Sequence, residues 1–167
     1  MKIRDRIKEL RRVKASELLP NPRNWRTHPK KQQDALRGLL AEVGYADALL
    51  ARELPDGSLE IVDGHLRAET TPDQVVPVLV LDISEAEAAK VLLTLDPLAA
   101  MAEADNQKLD ELMREIDTGC EALQVMIADL AKTNGLYETP ESPEDFPTVD
   151  ENIETKLCCP KCGYKWS

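Results

Sequence analysis

The chain has 167 residues, 43% of them hydrophobic, enough apolar material for one ordinary core with an appendage. Its net charge of −10 is unevenly distributed: residues 1–31 carry 11 Lys/Arg against 3 Asp/Glu, whereas the remaining 136 carry 10 against 28. The acidic body argues against broad, backbone-driven DNA binding, and 4% aromatic residues are too few for a base-stacking platform on single strands, so the basic arm either contacts nucleic acid or pairs with the body.

In chain order, "IRDRIKELRR" places Ile3, Ile7 and Leu10 at helical spacing among cations, which predicts a basic amphipathic helix over residues 1–11. The N-terminus lacks the apolar core of a secretory signal, and no apolar run approaches the roughly 20 residues that span a bilayer. A cytoplasmic protein with no membrane partner is therefore expected. "VKASELLPNPRNWRTHP" reads as a brief strand and a Pro-punctuated loop, in which Trp25 either anchors to the core or stacks on a ligand. His28 is assigned to a helix start. Ala35, Leu36, Leu39, Leu40 and Val43 then give a 3.6-residue period closed by Gly44, a helix over about residues 29–43.

"DALLAREL", "PDGS" and "LEIV" predict a β-hairpin around Asp56-Gly57. After Asp63-Gly64-His65, "HLRAET" is long enough for one short helix. "QVVPVLVLD" is nearly all apolar, as in a strand covered on both faces, with Pro77 implying an edge or a bulge at that point. Ser84 and Glu87 form a capping box opening a helix to about Leu95, with Pro97 beyond it. Two more helices are expected, one bracketed by Asp105 and Gly119 and one over Glu121–Lys132. The acidic, Pro-rich residues 136–156 predict a flexible linker.

The tail "CCPKCGYKWS" holds three of the four cysteines. Cys-Pro-x-Cys-Gly is knuckle spacing: Cys159 and Cys162 on one tight turn can offer two thiolates to zinc, and Gly163 admits the φ > 0 conformation. A four-thiolate site needs a second pair. Either two chains share one zinc and form a homodimer, or the knuckle is a bare tail.

The stretch "IVDGHLRA", Ile61 to Ala68, is the main functional candidate. Gly64 lets a phosphate approach the backbone, Arg67 can grip it with a bidentate fork, His65 can donate, and Asp63 can hold Mg²⁺ beside phosphates. The same residues are also consistent with an Asx-type turn in which His65 caps locally and Arg67 pairs with an acidic neighbour.

The order of extended segment, helix, glycine, hairpin, Gly-x-x-Arg turn, apolar strand and helix resembles the N-terminal domain of the ParB/sulfiredoxin superfamily over about residues 12–96. Asn21-Pro22, Arg26, Gly44 and "IVDGHLRA" carry the resemblance. It looks closest to ParB-like domains of phage-type proteins and of some DNA-modification methyltransferases. It implies an α+β fold, a small mixed sheet with flanking helices, followed by a helical extension (97–135), the linker (136–156) and a zinc-knuckle-like tail (157–167). It also implies a nucleotide or DNA partner at Asp63, Gly64, His65 and Arg67, with Arg26 and Thr70 as additional candidates, Mg²⁺ accompanying a nucleotide, and zinc at Cys159 and Cys162.

Departures narrow the function. Sulfiredoxins place a Cys directly after the turn glycine, where this chain has His65. Partitioning ParB proteins carry paired arginines after Gly-Glu and a later Glu-Asn-x-x-Arg string, whereas here Leu66 precedes a single Arg67 and the later helix reads "VLLTLDPLAA". The helices after residue 105 hold too few cations for a helix-turn-helix reader. A Gly-rich cofactor loop and an Asp/Asn-Pro-Pro-Tyr string are missing, which excludes a methyltransferase for this chain. Two readings remain: a nucleotide- or nucleic-acid-phosphate-binding accessory protein in a phage or DNA-modification context, or a small Mg²⁺-dependent phosphotransferase or NTPase. The second resembles the free-serine kinases and needs Glu42, Asp47 or Asp63 as its base.

Overall fold

In the computed structural model, which describes residues 3–136 and 157–166, the chain divides into two units, Met1–Tyr137 and Glu138–Ser167. The expected linker over 136–156 falls outside the described residues, apart from Leu136.

The first unit contains strands β1 (Ile7–Lys14), β2 (Leu18–Leu19), β3 (Leu49–Glu53), β4 (Leu59–Asp63) and β5 (Val75–Leu81) in one sheet of order β1-β5-β3-β4-β2. A 3-10 turn, Ala15–Glu17, joins β1 to β2. Around the sheet lie α1 (Lys30–Glu42), α2 (His65–Thr70), α3 (Glu85–Ala100), α4 (Asn106–Glu115) and α5 (Glu121–Thr133). β5 pairs antiparallel with β1 and parallel with β3, and β3 pairs antiparallel with β4, so the sheet is mixed. The α+β architecture and the β3–β4 hairpin match the sequence expectation.

The core follows from period-2 patterning. Val76, Val78 and Val80 of β5 are fully buried with Leu49 and Ala51 of β3, joined by Ile61 and Ala68. Leu79 and Leu81, on the other face of β5, are half-buried rather than fully covered. Pro77 lies opposite Arg12 of β1, and the β3 ladder begins only at Val78, so at that point the strand is paired on one side. β5 is nonetheless an interior strand.

Residues 7–14 correct the expected N-terminal helix. They form an edge strand, because β5 presents a free edge, and a short isolated helix is marginal in water. The basic side chains turn to the body: Lys8 bonds Glu53 at 2.8 Å, Arg11 reaches Glu9 and Glu53, and Arg6 grips Glu87 through two hydrogen bonds. Cations along an edge also discourage pairing with another sheet.

α3 opens with the expected Ser84–Glu87 capping box but continues through Pro97 to Ala100, correcting the stop near Leu95. α5 packs on α1 at Gly38, where a Cβ would collide with the Cys120 sulfur, and Lys31 bonds Asp129 across the same interface. Among the described residues no helix is long and apolar enough to cross a membrane.

The second unit contains a small hairpin of β6 (Leu157–Cys158) and β7 (Lys165–Trp166). Gly163 turns it at φ 75°, with its N–H donating to the Cys159 carbonyl at 2.9 Å.

Glu87 joins the start of β1 to the start of α3, and bonds from Arg6 and from Ser84 lower its carboxyl from 4.5 to about 2. A carboxyl depressed in the folded state stabilises above its unfolded pKa and loses that contribution as pH falls. Wild type should therefore lose stability to acid between about pH 4.5 and 2 more steeply than Glu87→Gln. Urea midpoints measured across that range check this, and parallel curves would reject it.

Candidate functional site

The site begins where β4 ends. Gly64 takes φ 95°, a left-handed conformation, and the chain turns directly into α2. A Cβ at this position would stand 2.7 Å from the Leu49 Cγ and 3.2 Å from the Arg67 Nε and Nη2. The glycine thus serves two ends at once: it seats the turn on the core and lets the guanidinium lie back across the backbone.

Arg67 is held between two carboxylates. Its Nη2 donates to Asp63 at 2.9 Å, one helical turn away, and its Nη1 donates to Asp47 in the loop after α1. The Arg67 bond holds the Asp47 carboxyl below its ordinary value. Both halves of the sequence reading therefore meet here: Arg67 is paired with acidic neighbours, and it also lines a cavity of about 380 Å³. Such a volume lies in the range of small-molecule pockets.

His65 has a role that sequence alone did not reveal. Its ring is buried at 6% exposure, and its Nε2 accepts the Asn21 N–H at 3.2 Å. Burial lowers its pKa, while Glu69 and Asp63 act in the opposite direction. A neutral ring accepting at Nε2 carries its hydrogen on Nδ1. The expected local cap is thus a long-range tie between α2 and the Asn21–Pro29 loop. Asn21 extends the tie: its Oδ1 accepts from Arg23 N, and its Nδ2 donates to Glu60, which also accepts from Arg52 at 2.7 Å. The buried Glu60 is thereby paired instead of stranded.

That loop supplies the opposite wall of the cavity through Asn24, Arg26 and His28. Trp25 does not anchor to the core. It is 58% exposed, with the Arg26 guanidinium stacked 4.4 Å above its ring. Arg26 reaches α3, donating from Nη1 to the Leu92 carbonyl at 3.3 Å and lying 3.0 Å from Asp96. The buried Nη2 is thus paired by charge with the Asp96 carboxylate. His28 faces Gln32 through Nδ1 at 3.2 Å, and its buried Nε2 has no partner among the described residues. A buried polar atom left unpaired, as this Nε2 is, costs on the order of 1–3 kcal/mol.

Asp63, Gly64, His65, Arg67 and Arg26 are thus brought to one cavity. Thr70 is not: its hydroxyl donates to the Leu66 carbonyl one turn back, and the residue lies outside the lining. Of the three candidate bases, Glu42 accepts from Thr118 at the far end of α1, while Asp47 and Asp63 are both committed to Arg67. Sequence reasoning missed Asp96, whose only signal is its position one turn after Leu92 on the same helix, and it left His28 at the helix start. Among the described residues no group of three or more His, Cys, Asp or Glu side chains converges as a metal site. In the second unit, Cys159 stands at the knuckle turn, and N–H groups of Lys161 and Cys162 hold its thiol pKa below the usual value.

No protein-family model matches the chain, and no curated protein matches it. Solved structures do. The C-terminally truncated chromosome-partitioning protein ParB from Caulobacter crescentus, complexed with CTP-gamma-S, aligns at 20% identity with a TM-score of 0.51, covering 76% of this chain and 71% of that one. The same protein complexed to the centromeric parS site aligns at 20% identity and a TM-score of 0.44, over 78% and 73% of the two chains. The first likeness, with the mixed sheet and its flanking helices, shows a ParB-like fold.

Replacing Gly64 tests the turn. Gly64→Ala should destabilise the fold by about 1–3 kcal/mol, through its positive φ and the Leu49 contact, measured by urea unfolding. A change within about 0.5 kcal/mol, the usual scatter of neutral surface substitutions, would contradict the account.

Proposed function

We propose that this chain is a ParB-like accessory protein that binds a nucleotide, or the phosphates of a nucleic acid, in the cavity between α2 and the Asn21–Pro29 loop, acting in a phage or DNA-modification context in the cytoplasm. The observation that carries the reading is the placement of Arg67 over Gly64, facing the same cavity as Arg26. A guanidinium gripped by two carboxylates is already aimed. An incoming phosphate competes for its fork, and Asp63, released from Arg67, is the carboxylate placed to share Mg²⁺ with phosphate oxygens. Two arginines against Asp47, Asp63 and Asp96 leave the lining without surplus positive charge, which favours a nucleotide that arrives with its metal over a bare anion. The ParB structure of like fold holds CTP-gamma-S, which makes nucleoside triphosphates the first ligands to test. The phosphotransferase alternative gains no support from a carboxylate free to act as base.

Calorimetry against CTP, ATP, ADP and duplex DNA, with and without Mg²⁺, should show binding of at least one nucleotide, weakened tenfold or more in Arg67→Ala, on the order of one charge-assisted hydrogen bond. The absence of binding by every ligand, or binding unchanged in the variant, would sink the assignment.

For the tail we propose zinc at Cys159 and Cys162, with the second pair of thiolates supplied by another copy of the chain. The support is the turn itself, where two N–H groups stabilise the Cys159 thiolate, the form that binds metal. Metal analysis should give about half a zinc per chain, lost in Cys162→Ser. A full zinc on a monomer would reject the shared site.

A further inference from the structure

Among the described residues three carboxylates line the cavity, and they are not alike. Asp96 lies on α3, 3.0 Å from Arg26. Asp63 sits at the end of β4, one helical turn from Arg67, with 28% of its side chain exposed. Asp47 belongs to the loop between α1 and β3, and it keeps 78% of its side chain exposed while pairing with the Arg67 Nη1. Arg67 itself is only 16% exposed. A carboxylate from a solvated loop thus reaches in to a guanidinium that is nearly covered.

Arg67 does not need Asp47 to be aimed. Asp63 holds its Nη2 at 2.9 Å, and its Nε and Nη2 lie back over Gly64. Asp47 is instead placed like a bound anion. Its Oδ2 accepts from the Arg67 Nη1, and its Oδ1 accepts from the Ala48 N–H at 2.7 Å, so a guanidinium and a backbone amide each satisfy one oxygen. The oxygens of a phosphate ask for the same donors. An ion pair this exposed contributes little to stability, so it is readily exchanged. Its charge still counts, because a carboxylate beside the Arg67 fork repels an incoming anion in proportion to the anion's charge.

We propose that Asp47 is a specificity-determining residue of the cavity: it stands in for a phosphate on Arg67, yields to the ligand, and holds off bare polyphosphates more strongly than their Mg²⁺ complexes. The proposal rests on the nucleotide reading of the cavity and adds the group that discriminates by ligand charge. A Mg²⁺ complex carries two fewer negative charges than the bare nucleotide, so the same carboxylate repels it less. Asp47 and Asp63 therefore differ in role. Removing Asp63 takes away a Mg²⁺ ligand and the bond that aims Arg67, whereas removing Asp47 takes away only a competitor.

Calorimetry of the full chain against CTP and ATP, each with Mg²⁺ and with EDTA in its place, compares wild type, Asp47→Asn, Asp47→Ala and Asp63→Asn. Both Asp47 variants should bind more tightly than wild type, by about twofold to fivefold with Mg²⁺, the worth of one exposed ion pair, and by a larger factor without it. Asp63→Asn should bind the Mg²⁺ complex more weakly. The sign is the informative readout, because an Asp47 that merely positioned Arg67 or braced its loop would weaken binding when removed. Affinity unchanged or weakened in either Asp47 variant, or a gain no larger without Mg²⁺ than with it, overturns the proposal while leaving Arg67-dependent nucleotide binding intact. Tighter binding of the Mg²⁺ complex by Asp63→Asn would make the two carboxylates equivalent and also overturns it. If neither nucleotide binds wild type or the Asp47 variants under either condition, the reading of the cavity and the proposal fall together.

Discussion

Between β4 and α2 the backbone turns with φ 95° while the Leu49 side chain presses where a Cβ would be. That single steric constraint governs the site. It brings α2 against the core through Ala68, it leaves room for the Arg67 guanidinium to fold back over the turn, and it sets His65 facing inward. With any side chain at position 64 the helix would have to shift away from Leu49, carrying Arg67 and His65 with it.

From this turn the constraint spreads by hydrogen bonds. His65 ties the turn to Asn21, and Asn21 ties the loop to the Glu60–Arg52 pair on the hairpin. The loop, so anchored at one end, is met at the other by α1 through the Gln33 bond to the His28 carbonyl. Between these fixed ends Arg26 and His28 face the cavity, and α3 closes the side with Leu92 and Asp96. The wall opposite Arg67 is therefore built from two segments distant in sequence, the loop that runs into α1 and the helix α3. Its charge is balanced in pairs, which keeps desolvated arginines compensated and makes any anionic ligand compete with carboxylates for them.

The elements with strong local signals were legible without coordinates. The Gly-closed helix α1, the Asp-Gly hairpin, the apolar strand β5 and the capped start of α3 each depend on a period or a cap contained within a few residues. The misreadings came from competing tertiary partners. Residues 7–14 have a helical pattern of apolar positions, yet the free edge of β5 and the carboxylates of Glu53 and Glu87 make a strand of them. Pro97 ends a helix by local rules, but here α3 runs one turn past it. Asp63, Gly64 and Arg67 were legible because they lie within one turn of each other. Asp47 was legible only as a candidate base, and Asp96 and the unpartnered Nε2 of His28 were not legible, since nothing in their neighbours announces a shared cavity.

What the sequence determined by itself is the order of the main elements and the Gly-x-x-Arg turn, because each follows from spacing over a single turn or strand, where steric and hydrogen-bond rules act locally; the α+β class was implied by the resemblance that this order carries. Tertiary structure alone decided which partners those residues take. It made His65 an acceptor for Asn21 instead of a cap, placed Arg67 between Asp47 and Asp63, and excluded Thr70 from the cavity. The His65–Asn21 and Arg67–Asp47 contacts depend on burial and span 44 and 20 residues of chain, and the energies involved arise only once the sheet has brought the segments together.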